Sequence, residues 1–251
     1  MKSAWFLGNK IAREGGAIGR WVASGGGGEK GGKSNDEAAK NGADNDKDNE
    51  NNNFVVILAS ASKDRLQLMR QIGLEPMVVP SNCPEDLPRT MQVDQFVEQT
   101  ARQKATDVAQ RMIDEKVHFD ALIGCDTMVS VDGELIGKPK DEEDAFQILK
   151  KLSNRSHIIL TGVCIIDSSG NEKELFSVES RVEFGQLSDK LISQYIMTGE
   201  PMGRAGAYAI QGKGAALVKS ISGSFPNIIG LPLFELIQKL DRLYLEKQKM
   251  H

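Results

Sequence analysis

Residues 25–53 contain no aromatic side chain and no Val, Leu, Ile or Met, and this limits which part of the chain can fold. The segment consists of Gly, Asn, Asp, Glu, Lys, Ser and Ala, which bury too little apolar surface to offset the entropy lost on ordering. We therefore predict a disordered N-terminal extension over residues 1–53 and one folded domain over residues 54–251. A domain of this length forms one core or two small lobes that share a cleft.

Residues 1–24 carry more positive than negative charge, with apolar side chains between the charges. Lys2, Lys10, Arg13 and Arg20 stand against Glu14 alone. This composition is typical of an amphipathic organellar presequence, and it also fits an extension without a targeting role. We predict a cytoplasmic protein, with mitochondrial targeting through this segment as the alternative.

The overall charge argues against a nucleic-acid partner, and the length of the apolar runs argues against a membrane partner. The net charge is −4 and the isoelectric point is about 5.6, so the chain lacks the basic surface that nucleic-acid binding requires. No run approaches the ~18 apolar residues of a membrane-spanning helix. We expect no nucleic-acid partner and no membrane partner. A small anionic ligand stays possible, because a local pocket can be basic in an acidic protein.

The cysteines Cys83, Cys125 and Cys164 are odd in number and lack paired spacing. They indicate neither a disulfide framework nor a zinc site. Their simplest role is that of small buried apolar residues in a reducing compartment.

From Phe54 onward, segments whose apolar residues have the spacing of a strand alternate with segments whose apolar residues have the spacing of a helix. This alternation predicts an α/β fold with a mixed or largely antiparallel sheet. Strands are predicted at 54–59, 76–80, 119–124, 157–167, 175–184, 207–210 and 216–221. Helices are predicted after Ser62 up to Gly73 and at 91–115, 141–152, 188–197 and 231–247. Asp132-Gly133 predicts a two-residue hairpin turn. The strand at 119–124 is expected to present Asp126 just beyond its C-terminal end.

Ser60, Ser62, Lys63 and Arg65 follow the first strand and open a helix. Backbone N–H groups, hydroxyls and cations at a helix N-terminus form a suitable site for phosphate. Serine and basic residues are also common at helix starts that bind nothing. This segment therefore leaves both interpretations open.

Asp126 follows a nearly continuous apolar strand, where a carboxylate can bind a divalent cation or take a proton from water. A turn or helix-capping aspartate is the simpler alternative. Lys138, fixed beside Pro139, offers a cation, and Gln211 offers an amide suited to the edge of a base. Both also fit ordinary solvated turns.

Three further polar residues have a simpler alternative role. Glu85 in a loop and Lys104 on the long helix are typical surface residues. His157 begins a strand, which favours a structural hydrogen bond over a role as catalytic base.

Taken together, the segments resemble the Maf family of nucleotide pyrophosphatases, which is structurally akin to the inosine triphosphate pyrophosphatases. The resemblance covers about residues 54–242 and retains the order and spacing of seven motifs. These are Leu58-Ala59-Ser60-Ala61-Ser62 with Arg65, Gly124-Cys125-Asp126-Thr127, Gly137-Lys138-Pro139, Leu152-Ser153 through His157 to Thr161-Gly162, Gly199-Glu200-Pro201, Ala205-Gly206-Ala207-Tyr208-Ala209-Ile210-Gln211-Gly212, and Gly230-Leu231-Pro232-Leu233.

The resemblance implies an elongated mixed α/β sheet in two lobes with a central nucleotide cleft, often assembled as a homodimer. It implies release of pyrophosphate and a nucleoside monophosphate from a nucleoside triphosphate, with Mg²⁺ or Mn²⁺ as cofactor. Asp126 matches the family's proton acceptor, and Asp126 and Glu85 are the predicted metal-binding residues. The other positions implied to line the site are Ser60, Arg65, Glu85, Lys104, Thr127, Lys138 and Gln211.

Two subfamilies differ in their motifs. One acts on dTTP and UTP and carries Asp-Thr and Ile-Gln-Gly, as here at Asp126-Thr127 and Ile210-Gln211-Gly212. The other acts on 7-methyl-GTP, and Thr127 and Gln211 disfavour it. A catalytically weak nucleotide-binding regulator of cell division is a further alternative. Asp64 departs from the family's usual arginine, so specificity is predicted to involve Asp64, Thr127 and Gln211.

Overall fold

The computed structural model describes residues 54–84, 86–88 and 90–249. The predicted N-terminal extension at 1–53 and the predicted site residue Glu85 lie outside the described residues. Within them, a mixed sheet carries helices on both faces, which confirms the predicted α/β class.

Seven strands and six helices are described in chain order. The strands are β1 Val56–Ala59, β2 Met77–Val78, β3 Ala121–Val131, β4 Glu134–Ile136, β5 Ser156–Asp167, β6 Glu172–Phe184 and β7 Val218–Ser222. The helices are α1 Lys63–Gln71, α2 Val93–Asp114, α3 Glu142–Leu152, α4 Asp189–Ile196, α5 Phe225–Ile229 and α6 Leu233–Lys249. None of the described helices is both long enough and apolar enough to cross a membrane.

The sheet has the strand order β2-β1-β3-β5-β6-β7, and β4 adds to β3. The pairs β1–β2 and β1–β3 are parallel, and the remaining pairs are antiparallel. The predicted mixed sheet is therefore confirmed.

Local sequence signals explain where three helices begin. The side chains of Ser62, Asp141 and Ser188 accept hydrogen bonds from backbone N–H groups in the first turns of α1, α3 and α4. Such caps satisfy donors that a helix start leaves without partners. Asp132 and Gly133 adopt positive φ in the tight turn between β3 and β4, as the sequence predicts.

The core divides along the length of the sheet into two lobes. In the first lobe, α1 and α6 pack on one face of β1 and the beginning of β3, and α2 packs on the other face. In the second lobe, α3 and α4 cover Val129 and Val131 at the far end of β3. Asp126 and Thr127 lie between these two parts of β3, where the lobes meet.

Two predicted elements are wrong in ways that affect the site. β3 continues to Val131, so Asp126 lies in the middle of a strand rather than beyond its end. The predicted strand at 207–210 is instead a 3₁₀ turn at Ala205–Ala207 followed by irregular chain, because Gly206 and Ala207 both adopt positive φ. The short helix α5 was not predicted.

Candidate active site

The centre of β3 borders a gap in the sheet. β1 pairs with β3 up to Gly124, and β4 pairs with it from Val129 onward. Across residues 125–128 the described chain therefore provides β5 on one side of β3 and no strand on the other. We call this break the strand gap. Since successive side chains of a strand point to opposite faces, groups on both faces of the sheet can reach a ligand at the gap.

Asp126 lies at the gap on the face that α2 covers. Its residue is 8% exposed, and Lys104 Nζ donates to its Oδ1 over 2.8 Å. Both side chains are largely buried, at 15% exposure for Lys104 and 12% for Asp126. The pair joins the predicted catalytic carboxylate to a helix of the first lobe and leaves its other oxygen, Oδ2, without a partner among the described side chains.

Two glycines bring α2 against the sheet at this point. A Cβ at Gly124 would lie 2.3 Å from the carbonyl oxygen of Ala101, and one at Gly162 would lie 2.3 Å from that of Val97. Both distances are shorter than real Cβ contacts. The missing side chains thus let α2 approach closely enough for Lys104 to reach Asp126.

Arg65 lies on the opposite face, where it joins three segments. Its guanidinium donates to Ser60 Oγ over 3.0 Å, to Thr127 Oγ1 over 2.9 Å and to the carbonyl oxygen of Gly230 over 2.8 Å. These contacts hold a permanent positive charge at the gap in one orientation. The predicted grouping of Ser60 and Arg65 is therefore present in the structure.

Thr127 is connected to a buried polar network. Its hydroxyl lies 3.0 Å from the hydroxyl of Thr161, its partner across β3 and β5. Thr161 Oγ1 donates to the carbonyl oxygen of Asn227 over 3.2 Å, and Asn227 Nδ2 bonds Ser180 Oγ at 2.9 Å. Thr161 and Asn227 are fully buried. The network ties the strand under the gap to the loop that carries Gly230.

Gln211 and Asp64 come from different lobes and line the same cavity. Both line a cavity of about 50 Å³, together with Leu68 and Ile229. Asp64 also forms an ion pair with Arg204, which precedes the 3₁₀ turn of the second lobe. The residue that departs from the family pattern is thus engaged with a cation from across the cleft.

Lys138 is exposed and lies two residues after β4, whose last residue pairs with Val129. The direction of β4 carries the chain back along β3 towards the gap. The structure thus brings Asp126, Lys104, Ser60, Arg65 and Thr127 to the gap, and it places Asp64 and Gln211 in the adjoining cleft.

Cys125, Cys164 and His157 belong to the core. Cys125 and Cys164 are buried, as predicted, and burial raises the pKa of Cys125 to about 11 and that of Cys164 to about 12. Cys83 is only partly buried, so the predicted role as a buried apolar residue is wrong for this cysteine. His157 is 1% exposed and bonds the Tyr208 hydroxyl at 2.9 Å, as predicted for a structural histidine.

Sequence reasoning assigned no role to Thr161, Asn227, Arg204, Tyr195 or Glu200. Two of them lie in motifs that carry the resemblance, at Thr161-Gly162 and Gly199-Glu200-Pro201, and that position was the available signal. Their partners depend on strand register and on contacts between distant segments, which local spacing does not reveal.

The chain is similar to a family of known proteins. The sequence profile of the family described as Maf-like protein matches residues 55–243. A dTTP/UTP pyrophosphatase of Dictyoglomus turgidum is 46% identical over 190 residues, covering 74% of this chain and 95% of that protein. A dTTP/UTP pyrophosphatase of Caldicellulosiruptor bescii is 43% identical over 189 residues, covering 75% of this chain and 94% of that protein.

A longer human relative, named as a probable bifunctional dTTP/UTP pyrophosphatase/methyltransferase protein, is 39% identical over 198 residues. The match covers 75% of this chain and 32% of the human protein. Since the family profile spans most of the chain and two relatives are covered almost throughout, this chain belongs to the family of Maf-like proteins.

Proposed function

We propose that the chain hydrolyses dTTP and UTP to the nucleoside monophosphate and pyrophosphate. The observation that carries the proposal is the buried Asp126–Lys104 pair at the strand gap, opposite the fixed guanidinium of Arg65. The names of the relatives from Dictyoglomus turgidum and Caldicellulosiruptor bescii support the substrate assignment.

The geometry supports separate roles for the charged side chains. Water attacks the α-phosphorus, the bond from that phosphorus to the bridging oxygen breaks, and pyrophosphate leaves. Asp126 accepts the proton of the water, and Lys104 orients this carboxylate through Oδ1. Arg65 and Lys138 offset the negative charge of the phosphates, which is the main requirement of phosphoryl chemistry.

The site fits a divalent cation that the protein and the substrate would hold together. No group of three or more His, Cys, Asp or Glu side chains among the described residues could hold a metal by itself. Mg²⁺ is commonly held by one or two carboxylates together with substrate phosphates and water, and Asp126 supplies such a carboxylate. Asp126, with Glu85 as a second candidate, would hold Mg²⁺ or Mn²⁺, which when bound withdraws charge from the phosphates.

Selectivity for the base is assigned to the cleft beside the gap. The Gln211 amide carries both a donor and an acceptor, which complement the N3–H and O4 of uracil and thymine. Thr127 contributes indirectly in this proposal, because its hydroxyl is engaged by Arg65 and Thr161.

A panel of nucleoside triphosphates tests the proposal. Pyrophosphate release in the presence of Mg²⁺ should be fastest with dTTP and UTP, and slower with CTP, the purine triphosphates and 7-methyl-GTP. A clear preference for 7-methyl-GTP would assign the chain to the other subfamily. Nucleotide binding without pyrophosphate release would favour a regulator.

Asp126→Asn should lower turnover by at least about 10²-fold with the fold retained, because an amide does not accept the proton of water. Asp120→Asn is a matched control: Asp120 is also buried and accepts from a lysine, Lys247, over 2.7 Å, but it lies outside the gap. Turnover of Asp126→Asn above about a tenth of wild type would remove Asp126 from its assigned role.

We further propose a cytoplasmic homodimer. An interface would cover large apolar side chains that are exposed in the single chain, among them Met197 at 83% and Phe234 at 69%. Sedimentation of the full chain measures its oligomeric state, and a fusion of residues 1–30 to a fluorescent protein distinguishes cytosol from mitochondria.

A further inference from the structure

The carboxylate of Glu200 holds the loop that contains Gln211. Its Oε2 accepts from the backbone N–H of Lys213 over 3.0 Å, and its Oε1 accepts from that of Gly214 over 2.8 Å. Glu200 follows α4, so its contacts connect two segments of the second lobe. The chain just after Gln211 is thereby fixed at two consecutive amides.

Tyr195 fixes the other side of the same loop. Its hydroxyl donates to Glu200 Oε1 over 2.8 Å and accepts from the backbone N–H of Ala209 over 3.1 Å. Tyr195 is 5% exposed, so its hydroxyl cannot exchange freely between these partners and water. Tyr195 and Glu200 therefore hold the backbone on both sides of Gln211, at Ala209 before it and at Lys213 and Gly214 after it. We call this pair of side chains the clamp.

Two glycines allow the loop to wrap around these groups. A Cβ at Gly212 would lie 2.3 Å from Glu200 Oε2, and one at Gly214 would lie 2.7 Å from the Tyr195 hydroxyl oxygen. Side chains at either position would displace the carboxylate or the phenol. Gly212 and Gly214 thus leave the space in which Glu200 and Tyr195 bind the backbone of the loop.

The ionised form of Glu200 is the one the loop binds. Burial raises the pKa of this carboxyl, but the hydrogen bonds from Lys213, Gly214 and Tyr195 outweigh burial and leave that pKa below its ordinary value. The clamp consequently persists throughout the neutral pH range.

We propose that Glu200 and Tyr195 are positioning residues that set selectivity for a 4-keto pyrimidine by fixing the backbone on both sides of Gln211 at the cleft. The inference rests on the proposed function, in which Gln211 contacts the base. The Gln211 amide can complement the O4 and N3–H of thymine only if its backbone holds it at the right place beside the base. Without the bonds from Glu200 and Tyr195, the backbone around Gln211 loses its anchors, and the amide can shift to accommodate cytosine.

The readout is the ratio of kcat/KM for dTTP to kcat/KM for dCTP. Gln211→Ala should lower this ratio about tenfold, the size expected for loss of one or two discriminating hydrogen bonds. Glu200→Ala and Tyr195→Phe should each lower it severalfold, mainly through a higher KM for dTTP, with kcat changed less than about threefold. Glu200→Gln, which keeps one acceptor oxygen, should recover part of the loss.

A double-variant cycle separates positioning from a general structural role. If Glu200 acts through Gln211, adding Glu200→Ala to Gln211→Ala should cause no further loss of selectivity, because residues that share one interaction are not additive. Tyr195→Phe, which removes only the hydroxyl, offers the same cycle in case Glu200→Ala does not fold. Asp167→Ala is the control, since Asp167 Oδ1 likewise accepts two backbone N–H bonds, from Ser169 and Asn171, in a remote turn.

Unchanged selectivity in Tyr195→Phe and Glu200→Ala, or additive losses in both cycles, would overturn the inference while leaving the proposed function intact. Failure of the wild-type chain to release pyrophosphate from dTTP would overturn the proposed function itself. Asp167→Ala should keep the wild-type ratio, and an equal loss there would assign the effect to general destabilisation and overturn the inference.

Discussion

The Thr127 hydroxyl is shared between two partners at the strand gap, since it accepts from Arg65 and pairs with Thr161. Thr127→Val keeps the shape of the side chain but leaves the Arg65 donor and the Thr161 hydroxyl without this partner. We expect a loss of about 1–3 kcal/mol in the free energy of unfolding. A higher KM for dTTP should accompany the loss, because Arg65 is less well oriented.

Denaturant unfolding and steady-state kinetics measure the two effects. Thr100→Val is a suitable control, because Thr100 is buried and its hydroxyl bonds only the carbonyl oxygen of Phe96 in its own helix. If Thr127→Val showed an unchanged KM while stability fell, Arg65 would not depend on this hydroxyl for its orientation.

Asp64 is paired with Arg204 across the cleft, and their side chains are 24% and 34% exposed. The pair adds little stability, about 0–1 kcal/mol, because both groups remain partly in water. Asp64→Asn leaves the positive charge of Arg204 without its partner near the nucleotide. We expect KM for dTTP to fall by a factor of a few with kcat unchanged. This pattern is expected when the substrate and the transition state are stabilised by the same amount.

The salt dependence of KM provides a check on this charge effect. The gain in Asp64→Asn should shrink as the ionic strength rises to about 1 M, where screening acts over roughly 3 Å. Arg204→Gln should shift KM in the opposite direction. Equal KM values for wild type and both variants would show that this pair lies away from the phosphates.

The local sequence was sufficient to predict that Ser60 and Arg65 lie together, because both belong to one strand–loop–helix segment. It was insufficient for Thr127 and Asp64. The partners of those two side chains come from β5, the Gly230 loop and the second lobe, and only the folded chain brings these segments together.

At the scale of elements, α2 and the sheet form the contact that positions Lys104. Gly124→Ala would place a methyl group against the Ala101 carbonyl oxygen and force α2 away from β3. Overpacking of this kind costs about 1–3 kcal/mol. Turnover should fall as well, since moving α2 separates Lys104 from Asp126.

Gly185→Ala provides the control for this prediction. A Cβ at Gly185 meets no atom within 4 Å, so both stability and turnover should stay near wild type. Thermal unfolding and pyrophosphate release measure the outcome. Normal turnover in a folded but destabilised Gly124→Ala would show that the position of α2 is not critical for Asp126.

Capping residues and turn residues made the element pattern largely predictable, as at Asp141 and Asp132-Gly133. The end of β3 was not predictable in the same way. The apolar run stops at Asp126, yet the strand continues because β5 pairs with it up to Ser130 and the second lobe buries Val129 and Val131. Tertiary pairing overrode the local pattern there.

At the scale of the whole molecule, the second lobe is built around a cluster of aromatic side chains with His157 at its centre. The ring of His157 packs edge-on against Phe184 and Tyr208, with centroid distances of 4.9 Å and 5.5 Å. Burial lowers the pKa of His157 to about 4 from an ordinary value of 6.5. This lobe also carries the Gln211 loop, so its stability bears on the cleft.

The lowered pKa of His157 makes the stability of the chain depend on pH with a definite sign. Between pH 6.5 and about 4 the unfolded chain binds a proton at His157 that the folded chain does not, so the free energy of unfolding falls as the pH falls through this range and levels off above it. The difference amounts to roughly 3 kcal/mol at most, from about 1.4 kcal/mol for each pKa unit.

His157→Phe combined with Tyr208→Phe removes the titrating group and leaves no unpaired hydroxyl, so this double variant should lose less stability than wild type between pH 7 and 5. His118→Gln, which removes an exposed histidine, should retain the wild-type slope. Urea unfolding at several pH values decides the matter: parallel slopes for wild type and the double variant would show that other groups govern the acid sensitivity, and that the second lobe does not gain stability from holding His157 neutral.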